Sequence, residues 1–214
     1  MKYINDFTKH FTDFPVFTTQ DIERFLSSNN AGRTYPKRFA QNMIKNKRMA
    51  RITRGVYTFK KDMEVVGFAF SPFYYGLSYA LSYYDIQEER SNPVIITPKI
   101  VRNGIRKIMG INALVLRIPK NMFFGYNFVK GNLIYYPVSD VEKTFIDLVY
   151  FNIHLREETL GRLISCLNRD RLKNYLSCYP TRLKGRVETL LKYRIYEKSG
   201  PSATENRQTK SKSK

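Results

Sequence analysis

RTYPKRFAQNMIKNKRMARITRGVYTFKK, residues 33–61, holds ten Lys or Arg residues and no Asp or Glu. Its reading decides the fold of the N-terminal part. At helical spacing, residues 34–47 and the Arg48 that follows separate into two faces. Tyr35, Pro36, Phe39, Ala40, Met43 and Ile44 fall on one side; Thr34, Lys37, Arg38, Gln41, Asn42, Lys45 and Arg48 fall on the other. The pattern predicts a helix with its apolar face on a core. On the polar face, Arg, Lys, Gln and Asn carry donors and acceptors that match base edges in a major groove, and no acid is there to repel phosphate. Behind this helix, residues 49–53 and 56–59 alternate around Arg54-Gly55, as a tight two-stranded hairpin requires.

Upstream, residues 2–11 carry Ile4, Phe7 and Phe11 at helical spacing, and Pro15 marks a turn. Thr18 or Thr19 can cap a second helix over residues 20–27, with Asp21 and Glu23 in the first turn where the helix dipole favours acids. Asn29-Asn30-Ala31-Gly32 then turns the chain into the basic helix. Helix, helix, helix, hairpin is the order of a winged helix-turn-helix. In that arrangement Arg38, Gln41, Asn42 and Lys45 would meet bases, and Lys37, Arg48, Arg51, Arg54, Lys60 and Lys61 would meet phosphates. Arg33 and Thr34, at the start of the helix, complete the candidate DNA-binding set. The competing reading is an ordinary solvated face, but such faces intersperse acids and this one has none over 29 residues.

Composition agrees with a polyanionic partner. The chain of 214 residues carries a formal charge of +19 with 43% apolar residues. Residues 1–62 contribute 13 basic and 5 acidic side chains, and residues 63–214 contribute 24 and 13, so both parts are basic. No run of apolar residues is long enough to span a bilayer, and the N-terminus lacks the apolar core of a secretory signal. A cytoplasmic location is expected, and Cys166 and Cys178 read there as reduced thiols.

A boundary near Lys60-Lys61-Asp62 divides residues 1–62 from an α+β domain at 63–198, followed by a basic tail at 199–214 that is expected to be disordered. Residues 72–84 (PFYYGLSYALSYY) place aromatic and small side chains all round and read as a buried helix, with Gly76 and Ala80 permitting close packing. Residues 94–97, 113–118 and 132–136 read as strands, and 122–124 as an edge segment. Ser139-Asp140-Val141-Glu142 reads as a capping box opening a helix over 139–151. Helical patterns at 156–168, 169–179 and 181–196 follow, so the mixed α/β part ends in a helical bundle.

Signals of catalysis are sparse. His10 and His154 read as surface or cap residues, and no His/Cys cluster, Walker A sequence, GxGxxG or GxSxG is present. Asp140, Glu142 and Asp147 lie close in sequence, but capping accounts for the first two. Asp85, Glu88 and Glu89 read as a solvated turn. No catalytic residue, metal or cofactor is assigned. Arg182, Lys184, Arg186 and Lys192 could form a cationic face on the last helix, serving a nucleic acid, an acidic protein or solvent alone.

A basic helix followed by RITRGVYTF, then SPFYYGLSYALSYYDI, strands with PVIITP, and VSDVEKTFIDLVYF, resembles the AbiEi-type antitoxins over residues 15–195. These are the regulator halves of AbiE abortive-infection toxin-antitoxin systems. The resemblance implies a non-enzymatic autorepressor that binds inverted-repeat promoter DNA through its winged helix, with a nucleotidyltransferase-type toxin as a second partner. It also implies a structural helix at Asp140 to Asp147. Two readings compete with it: a nucleic-acid-processing enzyme using Asp140, Glu142 or Asp147, and an architectural binder with little sequence preference. One such helix reads about one half-site, so a monomer or weak dimer pairing on the operator is expected.

Overall fold

The computed structural model describes residues 3–30, 32, 35–89, 91–132 and 134–199, with side chains described as far as 192. Arg33, Thr34 and the tail beyond 199 lie outside the described residues. The architecture is mixed α+β, with two sheets.

Residues 4–58 form α1 (Ile4–Phe11), β1 (Phe17–Thr18), α2 (Thr19–Ser28), α3 (Tyr35–Lys45), β2 (Ala50–Thr53) and β3 (Val56–Thr58). The three strands make one antiparallel sheet in the order β1-β3-β2, with Phe17 opposite Tyr57. The sequence contains no Trp, and aromatic burial falls to Phe and Tyr. The Phe7 ring lies within 6 Å of the rings of Phe11, Phe17, Phe25, Phe39 and Phe59. Edge-to-face geometry prevails there, as the ring quadrupole favours. Thr18 caps α2: its hydroxyl accepts from the Asp21 N–H at 3.2 Å, and the Asp21 carboxylate accepts from the Thr18 N–H at 2.8 Å. This reciprocal box satisfies donors that helix geometry leaves open. β1 escaped sequence reading because two residues carry no periodicity.

The larger sheet contains β4 (Tyr74–Tyr75), β5 (Val94–Thr97), β6 (Gly104–Ile108), β7 (Ile111–Arg117), β8 (Tyr126–Lys130) and β9 (Tyr135–Ser139), in the order β6-β7-β5-β4-β9-β8. The β4–β9 and β5–β7 pairs are parallel, and the others antiparallel. Side chains alternate between two cores. Tyr74 and Ile96 face α4 (Ser78–Tyr83), α5 (Val141–Tyr150), α6 (Glu157–Ser165), α7 (Arg169–Leu176) and α8 (Thr181–Ser199), joining Phe145, Leu163, Leu172 and Val187. Tyr75, Ile95 and Val115 face the other way, onto Val65, Val66 and Phe70 of the 3-10 segment Met63–Phe70. Ile52 of β2 enters this second cluster, so the two sheets share a core.

Several expectations are corrected. Residues 72–84 are not one helix: β4 occupies the middle of the sheet, and α4 begins only at Ser78. A central strand buried on both faces presents the same all-round aromatic composition as a buried helix, and composition alone could not separate them. Gly76 does permit close packing, but between β4 and α4 and not within a helix: a Cβ there would lie 2.7 Å from Ile96 Cδ1. The segment at 122–124 is not an edge strand; Lys120–Met122 is a 3-10 turn and the edge is β8. The strand at 132–136 begins instead at Tyr135, and Leu133 lies outside the described residues. β6 was missed because adjacent Arg106 and Lys107 break the apolar-polar alternation.

Candidate nucleic-acid interface

The face of α3 toward the core buries Pro36, Phe39, Ala40 and Met43. Lys37, Arg38, Gln41, Asn42, Lys45 and Arg48 are all exposed, on the side that the spacing assigned to solvent. A well-formed stop ends the helix. Lys47 enters the left-handed region at φ 53°, its N–H donates to the Ile44 carbonyl at 2.9 Å, and the Arg48 N–H donates to the Met43 carbonyl at 3.0 Å. This is the paired bonding of a Schellman end, with Lys in the place usually held by Gly, and it fixes where Arg48 leaves the helix.

Arg51 and Arg54 are exposed on the β2–β3 hairpin, and Lys61 is exposed beyond it, whereas Lys60 is half-buried. Gly55 takes φ +79°, a conformation that only a residue without Cβ adopts freely. Its carbonyl accepts from the Thr19 N–H at 2.9 Å, tying the hairpin turn to the start of α2. Among the described residues, no carboxylate forms an ion pair with any of these cations. Ten of the twelve candidate residues thus lie on α3, the turn after it, the hairpin and the segment beyond; Arg33 and Thr34 lie outside the described residues.

The carboxylates at 140–147 form a different kind of site. Asp140, not Ser139, is the cap of α5, accepting from the Lys143 N–H at 2.8 Å and the Tyr175 hydroxyl at 2.7 Å. Glu142 is not the reciprocal partner of a box; it accepts from the Asn168 N–H at 2.7 Å and, at 3.5 Å, from Arg171, at the N-terminus of α7. Asp147 pairs with Lys143 and accepts from the Tyr74 hydroxyl at 2.7 Å. The Lys143 ammonium also donates to Tyr179 at 2.9 Å and lies 5.5 Å from the ring centres of Tyr74 and Phe124. Burial raises the Asp147 pKa and lowers that of Lys143, each opposed by the partner's charge. Burial likewise raises Asp140, against the Tyr175 hydrogen bond. The four charged side chains of the segment join α5 to β4, α7 and the residues before α8. Sequence reading missed this because Lys143 and Asp147, one turn apart, look like a surface pair. Among the described residues, no group of three or more His, Cys, Asp or Glu is placed to hold a metal ion.

His10 is exposed and packs edge-on to Phe11, and His154 is exposed in the loop after α5. Cys166 and Cys178 are exposed and unbridged. On α8, Leu183 and Val187 enter the core, while Arg182 and Arg186 line an open cleft of about 600 Å³ with Leu148, Val149 and Ile153. No helix among the described residues is long and apolar enough to cross a membrane.

No protein-family model matches the sequence. No curated protein matches it either. Among solved structures, the fold is similar to that of the RV2827C protein from Mycobacterium tuberculosis, with a TM-score of 0.56 and 15% sequence identity, covering 83% of this chain and 71% of that one. At that identity the likeness is one of fold alone.

Proposed function

We propose that the chain is a sequence-specific DNA-binding transcriptional regulator of the AbiEi antitoxin type, acting as an autorepressor without catalytic activity. In this reading residues 1–62 are a winged helix-turn-helix: α3 enters the major groove, the β2–β3 hairpin is the wing, and Arg33 to Lys61 supply the contacts. Residues 63–198 are the second domain, which would face a nucleotidyltransferase-type toxin where one is present. The protein acts in the cytoplasm, as a monomer or weak dimer whose copies pair on an inverted-repeat operator.

The observation that carries the reading is the polar face of α3. It is exposed, free of acids, rich in side chains that hydrogen-bond base edges, and fixed from behind by the aromatic cluster around Phe7 and Phe39. Exposure of Arg51 and Arg54 beside it supplies phosphate contacts. The buried, mutually satisfied state of Asp140, Glu142 and Asp147 favours a structural use of those carboxylates over the nuclease alternative.

Selection of bound sequences from a pool of random duplexes tests the proposal. A regulator returns an inverted repeat. Binding without a motif would favour the architectural reading, and divalent-metal-dependent cleavage of the pool would favour the enzyme.

A further inference from the structure

The first turns of α8 carry two local costs on one side. Arg182 and Arg186 are four residues apart, so like charges meet on one helix face. Gly185 stands between them in the helix interior, where glycine is a poor helix former. Core packing does not require that glycine, since a Cβ there would meet nothing within 4 Å. Leu183 and Val187 already anchor the helix in the core. Arg182, Gly185 and Arg186 instead face the cleft of about 600 Å³ between α8 and the end of α5, a volume suited to a small molecule.

This cleft combines an apolar lining with unpaired cations. Leu148, Val149, Ile153 and Leu190 supply apolar surface, and Ile153 is 41% exposed. The Arg186 guanidinium donates to Asn152 Oδ1 at 2.9 Å, which orients it and uses one of its five N–H donors. Asn152 is itself set by the end of α5, at φ 57°, with the next N–H, of Ile153, donating to the Leu148 carbonyl at 2.9 Å. Among the described residues, no Asp or Glu lines the cleft, and neither arginine pairs with a carboxylate. Other arginines of the same domain do find one: Arg162 pairs with Glu88 and Glu158, Arg156 with Glu89, and Arg171 with Glu142.

A phosphate backbone has no use for the apolar lining. The sequence from Gly200 onward has four Lys or Arg, one Glu and no apolar side chain larger than Ala or Pro, so it complements neither the cations nor the lining. Both features suit a molecule with a carboxylate at one end and an apolar tail. Guanidinium forks grip a carboxylate through parallel hydrogen bonds, and the tail leaves water for the leucine and isoleucine side chains. We propose that the cleft between α5 and α8 is a binding site for an amphipathic monocarboxylate. Arg182 and Arg186 hold the carboxylate, the apolar lining takes the tail, and Gly185 keeps the space between them open. Nothing in this assignment depends on what α3 binds.

Isothermal titration calorimetry of the full chain with decanoate tests the site. Decanoate is expected to bind saturably, at a single site per chain. R182Q/R186Q should weaken it about tenfold or more, as the loss of hydrogen bonds to a charged group predicts. G185L places a side chain in the open space and should weaken it as much, while the urea midpoint stays at or above the wild-type value because Leu is the better helix former. K107Q/K130Q, which removes two exposed charges from the larger sheet, should bind as the wild type does. Decanol should bind the wild type about tenfold more weakly than decanoate, and acetate should show no saturable binding. Wild-type affinity in R182Q/R186Q overturns the proposal, as does wild-type protein that takes up no decanoate. Equal weakening in K107Q/K130Q overturns it in favour of net charge, and equal uptake of decyltrimethylammonium in favour of surfactant adsorption. A wild-type dimer that R182Q/R186Q and G185L render monomeric in sedimentation velocity overturns it in favour of a second copy of the chain in the cleft.

Discussion

Lys143 and Asp147 form an ion pair one helical turn apart with both side chains fully buried. Such a pair recovers its desolvation cost only through good geometry and further hydrogen bonds, which Tyr74 and Tyr179 supply here. Removing one partner strands the other charge. Lys143→Met is expected to cost about 3–5 kcal/mol in urea unfolding, while Lys143→Met with Asp147→Leu recovers part of that loss. A double variant as unstable as the sum of the two singles would show that the pair is not coupled.

The buried tyrosines on both faces of the larger sheet are expected to set the alkaline limit of the fold. Burial is the largest cause raising Tyr74, Tyr75, Tyr79 and Tyr179 above the ordinary 10.0, and it pushes Tyr84 and Tyr175 up to about 12. In the window above pH 10, the folded chain keeps protons that the unfolded chain releases. Stability is therefore intact below the unfolded value and is lost as pH rises through the folded ones. The melting temperature should decline from about pH 10 upward, with tyrosinate absorbance appearing in step with unfolding. Titration of all tyrosines near pH 10 in a chain that stays folded would contradict this.

The Thr18–Asp21 box is open to a simple stability test. Thr18→Ala removes a side-chain acceptor from the first turn of α2 and is expected to cost about 1 kcal/mol, read as a lowered urea midpoint with unchanged slope. No change would mean that water replaces the cap without loss.

Legibility of the sequence varied with how each segment is buried. The two faces of α3 could be read because one side is core and the other solvent, so that Phe39 and Met43 recur at helical spacing against Arg38 and Asn42. The bounds of β5, at Val94–Thr97, were also legible, since Pro93 and Pro98 punctuate it. The fold around Tyr74 and Tyr75 was not, because a strand buried on both faces loses its alternation. Within the candidate site, exposed cations could be found by counting charges. The cleft beside Arg182 and Arg186 could not, since it forms only where α8 packs back against the end of α5.

On α3 itself, base contacts and phosphate contacts predict different losses. Arg38→Ala and Asn42→Ala should lower affinity for the selected operator by about 1–3 kcal/mol each and relax preference at the base pairs they meet. Arg54→Ala should weaken selected and random duplexes by similar factors. Competition binding with single-base operator variants distinguishes the two patterns, and uniform loss from all three substitutions would remove the base-reading role from α3.

The most direct measurement is the affinity of the full chain for duplex DNA as salt is raised. Contact with roughly six to ten phosphates predicts a fall of about a thousandfold or more between about 50 and about 200 mM salt. An affinity that stays flat over that range would contradict the assignment of the acid-free region from Arg33 to Lys61 to DNA.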